Sequence, residues 1–323
     1  MEKPTWETAA ALRLTYFVLA VTLIPLASPI SAQDPQEFSD WSAPVNLGPP
    51  VNTIFAEIAP FISKDGLSLY HVRNTAAAGG FGGSDIWVSR RVSMNDPWAV
   101  PQNLGPTINT SANESSPSLS VDGHWLYFAR DGQGFGGNDV YVSRRHNKRD
   151  DFGWRPPVNL GSGINTAANE LQPAHFEDDA TGTTIVYFTS DRLGGIGGED
   201  IYASVLLPDE TFGTAVLVEE LSTPFTDRQP AIRRDGLEMF LASDRPGTFG
   251  GFDLWVSTRA TTSAPWSNPV NLGFIVNTAA SEVRPSVSFN ATELYFQSSH
   301  RPGVGVGSQD FYRTTRSKLN EPD

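Results

Sequence analysis

Five acidic residues recur at one place in a repeated stretch of this chain: Glu57, Glu114, Glu170, Asp227 and Glu282, each just ahead of a short apolar run. Five arginines recur just behind the next apolar run: Arg73, Arg130, Arg192, Arg245 and Arg301. Carboxylates gathered in one cleft can hydrolyse glycosides. That chemistry needs two of them, about 5–5.5 or 6.5–9.5 Å apart, in environments that split their pKa values. The same residue types also suit bidentate arginine–carboxylate pairing, which contributes only about 0–1 kcal/mol per pair when exposed. Carboxylates meeting near one axis repel one another unless arginines or a cation such as Ca²⁺ lie close by. No DxDxDG calcium loop is present, so Ca²⁺ is a weak expectation and no other cofactor is expected.

Other chemistry has thin support. His71, His124, His146, His175 and His300 show neither H-x-H nor HExxH spacing, and there is no G-x-S-x-G nucleophile elbow. The glycine-rich words GFGGSDIWVSRR (80–91) and GFGGNDVYVSRR (134–145) resemble phosphate loops only superficially. A strand pattern follows them, where a phosphate loop opens a helix and ends in GK[ST]. They read instead as turns in which glycine supplies positive φ and an Asp such as Asp139 caps backbone amides.

These words return as GIGGEDIYAS, TFGGFDLWVSTR and a worn GVGSQDFYRTTR, so the chain is a repeat with a unit of about 53 to 61 residues. Each unit carries four strand-like pieces. The first follows an acid and a Pro, as in Glu114-Ser-Ser-Pro117 before SLSVDG. The second follows an Asp-Gly turn, a strong hairpin signal. The third follows the glycine loop, and the fourth runs from a Trp to PVNLG. The first three pieces occur five times. After the first of them the fourth occurs only four times, beginning at Trp98, Trp154, Phe212 and Trp266. The missing copy, WSAPVNLG, lies upstream at 41–48. This phase predicts an all-β, five-bladed β-propeller of four-stranded blades, closed by the N-terminal strand pairing with the last blade. With the first strand innermost, the acids ring the channel mouth. The arginines and Asn52, Asn109, Asn165 and Asn277 share that loop-rich face, where a ligand is expected.

The motifs PSLSVDGHWLYFAR, SDRPGTFGGFDLWVS and SDRLGGIGGEDIY resemble the TolB-like, or WD40-like, propeller repeat of bacterial exported proteins, over residues 41–316. The resemblance implies the fold and leaves the activity open. Two repeats depart from the pattern. The fourth has Phe212 at the head of its outer strand, LSTPFTDRQP in place of the usual wording, Asp227 for Glu, and an added Arg228; the third has EDDATGTT for the Asp-Gly turn and brings in His175. A single pocket is therefore expected on the side of blades 3 and 4.

Lys3 and Arg13 flank the start of an apolar run, LTYFVLAVTLIPLA, that is short and broken by Pro, followed by SPISAQ. This reads as a signal peptide over 1–32, then a linker over 33–40, the propeller over 41–316 and a tail over 317–323. The mature chain is expected in the periplasm or medium as a monomer with no membrane span. The absence of cysteine removes disulfides and thiol chemistry, and a net charge of −13 argues against nucleic acid. Near-uniform blades favour a non-catalytic scaffold of the cell envelope, with a protein or a glycan as partner. The alternative is a carbohydrate-binding or carbohydrate-active propeller that uses the channel-mouth carboxylates. In its lectin-like form, one site per blade would be lined by Phe81, Phe135 and Phe249.

Overall fold

The computed structural model describes residues 37–74, 79–301 and 305–319. The expected signal peptide lies outside the described residues. The first strand, β1 (Val45–Asn46), belongs to the last blade. Blade 1 is β2 (Glu57–Ile62), β3 (Ser68–Arg73), β4 (Asp85–Arg90) and β5 (Gln102–Asn103). Blade 2 is β6 (Glu114–Leu119), β7 (Trp125–Asp131), β8 (Asn138–Arg144) and β9 (Val158–Asn159). Blade 3 is β10 (Glu170–Glu177), β11 (Thr184–Ser190), β12 (Asp200–Val205) and β13 (Val216–Leu217). Blade 4 is β14 (Asp227–Ile232), β15 (Glu238–Ser243), β16 (Asp253–Thr258) and β17 (Val270–Asn271). Blade 5 is β18 (Ser281–Val287), β19 (Glu293–Ser299) and β20 (Gln309–Thr315), completed by β1.

All pairings within the blades are antiparallel, and β1 pairs with β20 through Val45–Arg313 and Asn46–Tyr312. The first strands of neighbouring blades touch in a closed cycle, which places them innermost. The five-bladed propeller and its N-terminal closure are therefore as the strand count requires. Two local expectations change. The strand headed by Phe212 is the outer strand of blade 3, not of blade 4. The inner strands begin at the acid itself, or in blade 5 one residue before it at Ser281, rather than after the Pro, because each runs through a bulge. The register slips in every blade, between Ile58 and Phe61 in blade 1 and at the equivalent places in the others. The slip falls on Ala59-Pro60, Ser116-Pro117, Gln172-Pro173, Gln229-Pro230 and Arg284-Pro285. In each, the residue before Pro has φ between 48° and 63°. Proline has no N–H to give to the ladder, so the bulge is where it fits.

Apolar clusters fill the spaces between neighbouring blades. One joins Tyr70, Val72 and Ile86 of blade 1 to Leu126 and Phe128 of blade 2. The middle residue of the second strand is Phe128, Phe188, Leu241 and Phe296 in four blades, all fully buried, and each contributes about 1.5–3 kcal/mol. Blade 1 places His71 there, also fully buried, with neither ring nitrogen hydrogen-bonded among the described residues.

A second repeated contact explains two residues of the repeat that the strand pattern alone leaves unexplained. The arginine after the third strand lies over the Trp that leads the fourth. Arg91 lies over Trp98 (4.4 Å), Arg145 over Trp154 (4.5 Å), Arg259 over Trp266 (4.2 Å) and Arg316 over Trp41 (4.4 Å). Each donates through Nε to the carbonyl of the preceding hairpin turn, at Gly66, Gly123, Gly236 and Ala291. In blade 3 both partners change together, to Leu206 and Phe212, which form a bridge in the same place. Cation–π stacking is thus exchanged for an apolar pair, and neither residue is left without its counterpart.

Candidate functional site

The five acids do come to one face, and each lies fully buried. None lines the central cavity. Glu114 shows the pattern. Its Oε2 accepts from Thr110 N–H (2.9 Å), and its Oε1 accepts from Thr110 Oγ1 (2.7 Å) and Arg130 Nε (2.8 Å). Arg130 Nη2 then donates to the carbonyl of Ile108 (2.8 Å), in the connection arriving from blade 1. The neighbouring Asn109 takes Ile86 N–H on Oδ1 and gives Nδ2 to Ile86 O, both at 2.9 Å, like an added strand residue.

The same stitch recurs around the ring. Arg192 meets Glu170 (3.1 Å), Arg245 meets Asp227 (2.5 Å) and Arg301 meets Glu282 (3.5 Å). In blades 3 to 5 a serine stands opposite the acid and also donates to it: Ser190, Ser243 and Ser298. Asn52, Asn165 and Asn277 repeat the bond to the third strand of the blade before. Blade 1 is the loosest, with Arg73 Nε 3.6 Å from Glu57. There burial lifts the Glu57 carboxyl above its ordinary range, although Thr53 hydrogen-bonds it and Arg73 lies near. The ten charged residues of the rosette therefore pair within each blade and clamp to it the connection arriving from the blade before. Among the described residues no group of three or more His, Asp or Glu is placed to hold a metal ion.

The glycine words serve the same seam. Asp139 accepts from Phe135 N–H (2.7 Å) and Gly136 N–H (3.2 Å), as the capping reading requires. Gly136 itself has ordinary φ. Its side-chain position is closed because a Cβ would collide with the carbonyls of Thr166 and Ala168 in the next connection. The aromatic tips Phe81, Phe135 and Phe249 stand about half exposed, with Ile196 and Val306 in their place in the other two blades.

What faces the channel is the bulge. Ala59, Ser116, Gln172, Gln229 and Arg284 share one backbone shape and differ in side chain. The enclosed space among them is about 80 Å³, well below the roughly 300–1,000 Å³ of ligand pockets. His175 lines it, stacked on Tyr127 at 5.3 Å, and burial pushes its pKa down to about 4. The roomier cavity, about 320 Å³, lies at the channel mouth between blades 4 and 5. It is walled by Gln229, Ser281, Gln297, Ser299 and Gln309, by the Phe252 ring, and by Arg228 and Arg284. The expected side was that of blades 3 and 4. Blade 4 does contribute, through Arg228, but the cavity opens toward blade 5. Arg228 gives Nη1 to Glu199 (3.1 Å) and lies 3.9 Å over Phe252. The arginine at 284 carries a sequence signal that the repeat comparison above does not use: it is the one charged residue ahead of the bulge Pro.

No protein-family model matches the chain, and no curated sequence matches it either. Solved structures do. An α-L-arabinofuranosidase from Lactobacillus brevis superposes with a TM-score of 0.55 at 16% identity, covering 84% of this chain and 93% of that one. The Bacillus subtilis arabinanase Arb43A gives 0.53 at 14% identity, covering 85% and 97%. The α-L-arabinofuranosidase PaAbf62A from Podospora anserina, solved with cellotriose, gives 0.52 at 12% identity, covering 88% and 97%. Likeness at this identity shows the propeller fold. Of the TolB-like resemblance, the five-bladed propeller is what these structures show. The expectation of a non-catalytic envelope scaffold is corrected by these neighbours. It rested on the evenness of the blades, yet these three structures bear the names of glycoside-cleaving enzymes. Among the described residues no helix is long and apolar enough to cross a membrane.

Proposed function

We propose that the chain is a carbohydrate-active propeller that seats a glycan at its channel mouth, over the cavity between blades 4 and 5. The observation that carries this reading is the wall of that cavity. Three side-chain amides and two serine hydroxyls line one space of about 320 Å³ beside an aromatic ring. Gln297 is held at both ends by Ala59 N–H and Gln309 Oε1, Gln229 Oε1 takes Arg284 N–H, and Ser281 Oγ takes Phe252 N–H. Among the described residues the Nε2 groups of Gln229 and Gln309 and the Ser299 hydroxyl are left to a ligand. Amides and hydroxyls can both give and take hydrogen bonds, which is what a sugar's hydroxyls require, and a ring face receives the apolar side of a pyranose or furanose. The neighbouring propellers support the same class of ligand.

The acids of the rosette are not the reactive pair in this reading, because their oxygens are already occupied and buried. Glu199 is the one described carboxylate that ion-pairs with a cavity residue. A setting outside the cytoplasm agrees with this reading, and the apolar segment ending at SPISAQ supports export.

The test is calorimetric titration of the full chain with arabino-, xylo-, galacto- and galacturono-oligosaccharides, alongside assay of released reducing ends. Binding of at least one class, lost on Gln309→Leu with the fold intact, is the expected result. A ligand at a hundred times its dissociation constant adds about 2.7 kcal/mol to stability, so a thermal scan reads the same event. No binding and no turnover with any class at millimolar concentration overturns the proposal.

A further inference from the structure

The cavity between blades 4 and 5 holds two guanidinium groups that the repeat does not call for. At the residue after the acid, the other blades have Ile58, Ser115, Leu171 and Val283 where blade 4 has Arg228. At the bulge residue they have Ala59, Ser116, Gln172 and Gln229 where blade 5 has Arg284. Four blades build the same bulge without a charge, so the backbone does not require Arg284. Nor do its neighbours use it: Arg284 Nη1 is shut off from solvent without a hydrogen-bond partner, and Arg228 Nε is in the same condition. Among the described residues Arg284 has no ion pair. Burial, and then Arg228, pull the pKa of this half-buried arginine down to about 10 against the opposing effect of Glu199, so it remains a cation at neutral pH, with no carboxylate paired to it among the described residues.

A partly desolvated cation with one enclosed, unbonded nitrogen is unfavourable in the free protein and becomes favourable when a ligand supplies the anion. The local charge states how much anion is wanted. Arg228 and Arg284 carry one positive charge each and Glu199, tied to Arg228, carries one negative, leaving a single positive charge. The guanidinium of Arg228 is held over Phe252, and the free edge of Arg284 suits a two-oxygen group.

We infer that this cavity binds one monoanionic group of the glycan, a uronate carboxylate or an ester sulfate, on Arg284, with Arg228 and Glu199 fixing the net charge there. The inference rests on the carbohydrate reading above and names the substrate class: an acidic polysaccharide, in a protein whose overall charge of −13 would otherwise repel one.

The experiment titrates the full chain and its Arg284→Gln and Arg228→Gln variants with trigalacturonate, its methyl ester, a sulfated galactan trisaccharide and neutral galactotriose. Each variant's urea midpoint is read beside its affinities. The wild type is expected to bind trigalacturonate or the sulfated trisaccharide about 10- to 100-fold more tightly than the neutral sugars, as a charge-assisted bidentate pair provides. Arg284→Gln is expected to erase that preference and to hold or raise the urea midpoint, since it removes a half-buried charge that no carboxylate pairs. Preference for sulfate over carboxylate upholds the site and assigns its ligand to sulfated glycans. Equal affinity for acid, ester and neutral sugar overturns the inference and leaves the carbohydrate reading standing; no binding of any sugar overturns both. A fall in the midpoint of Arg284→Gln with the preference intact also overturns it, because Arg284 then serves the fold.

Discussion

If the acids of the rosette join blades, then Glu170→Gln is a folding mutation before it is anything else. Glu170 is fully buried and has four donors on two oxygens. Oε1 takes Thr166 Oγ1 (2.6 Å), Ser190 Oγ (3.0 Å) and Arg192 Nη2 (3.1 Å), while Oε2 takes Thr166 N–H (2.8 Å). A glutamine keeps one acceptor oxygen and turns the other into a donor, so in either orientation an NH₂ faces an N–H. It also leaves Arg192 without its carboxylate. Removing one partner of a buried ion pair costs about 3–5 kcal/mol, against a total stability of about 5–15 kcal/mol for an ordinary domain. With a urea slope of about 3 kcal/mol/M, the midpoint should fall by about 1 M or more. The assay is equilibrium urea unfolding followed by tryptophan fluorescence, since Trp87, Trp154, Trp255 and Trp266 are buried. Glu57→Gln supplies the internal scale. Its arginine is farther away, and burial already moves its carboxyl toward the neutral form, so its midpoint should fall least of the five. An unchanged midpoint for Glu170→Gln, with glycan binding or turnover lost, would refute the structural role and return the rosette to the site.

Three further outcomes follow from the same contacts. His71 is fully buried and its pKa is driven by burial to about 3, so it folds neutral; the stability it allows is complete above its ordinary pKa of 6.5 and is lost as pH falls from there toward 3. His71→Phe, which restores the residue of blades 2, 3 and 5, should raise the urea midpoint at pH 5 by more than at pH 8 and flatten the acid limb. Burial tends to raise the Asp151 carboxyl, but hydrogen bonds from Tyr70, Arg145 and Arg90 outweigh it and hold it below its ordinary range. Its stability is therefore present above about pH 4 and lost below. Asp151→Asn should cost about 3 kcal/mol or more at pH 7 and progressively less as the pH is lowered below its ordinary carboxylate range, by urea unfolding across that range. In blade 4, Arg259→Leu should cost about 1–2 kcal/mol through lost stacking on Trp266 and a lost bond to Gly236 O. Adding Trp266→Phe, which copies the Leu206–Phe212 pair of blade 3, should recover part of that cost, and a double-mutant cycle reads the coupling.

The architecture was legible because the repeat exposes whatever every blade shares. The Asp-Gly hairpins, the Asp139-type caps, the five inner strands and the displaced WSAPVNLG strand all follow from aligned residues. Pro60, Pro117, Pro173, Pro230 and Pro285 carried the bulge in plain sight, although a Pro suggests where a strand begins more readily than where one buckles. What the alignment cannot resolve is direction. Glu170 reads the same whether its carboxylate points into a channel or into a seam, and only the packed neighbours decide. Asp151 lies in the loop between third and fourth strands, whose wording changes from blade to blade, so nothing in the sequence ties it to Tyr70 across the blade boundary. The candidate cavity shows the reverse problem: its wall includes Arg228 and Arg284, which are visible only as deviations, and deviation alone does not separate selection from drift until the cavity and its unpaired nitrogens are seen.

The closing blade also fixes where the chain is cut. Leu319 N–H donates to Glu37 O (2.9 Å) and Phe38 bridges Lys318, so the two ends of the propeller lie side by side. Their junction, between β20 and β1, occupies the place that a loop between third and fourth strands fills in the other blades. A circular permutant that joins residue 319 to residue 37 by a short linker and opens the 259–266 segment would have the same topology, with β17 at its start in the role β1 now plays. The ring is indifferent to which blade carries its ends. That position, on the face away from the candidate site, is where a tag, a surface tether or a second domain can be attached while the channel mouth stays clear.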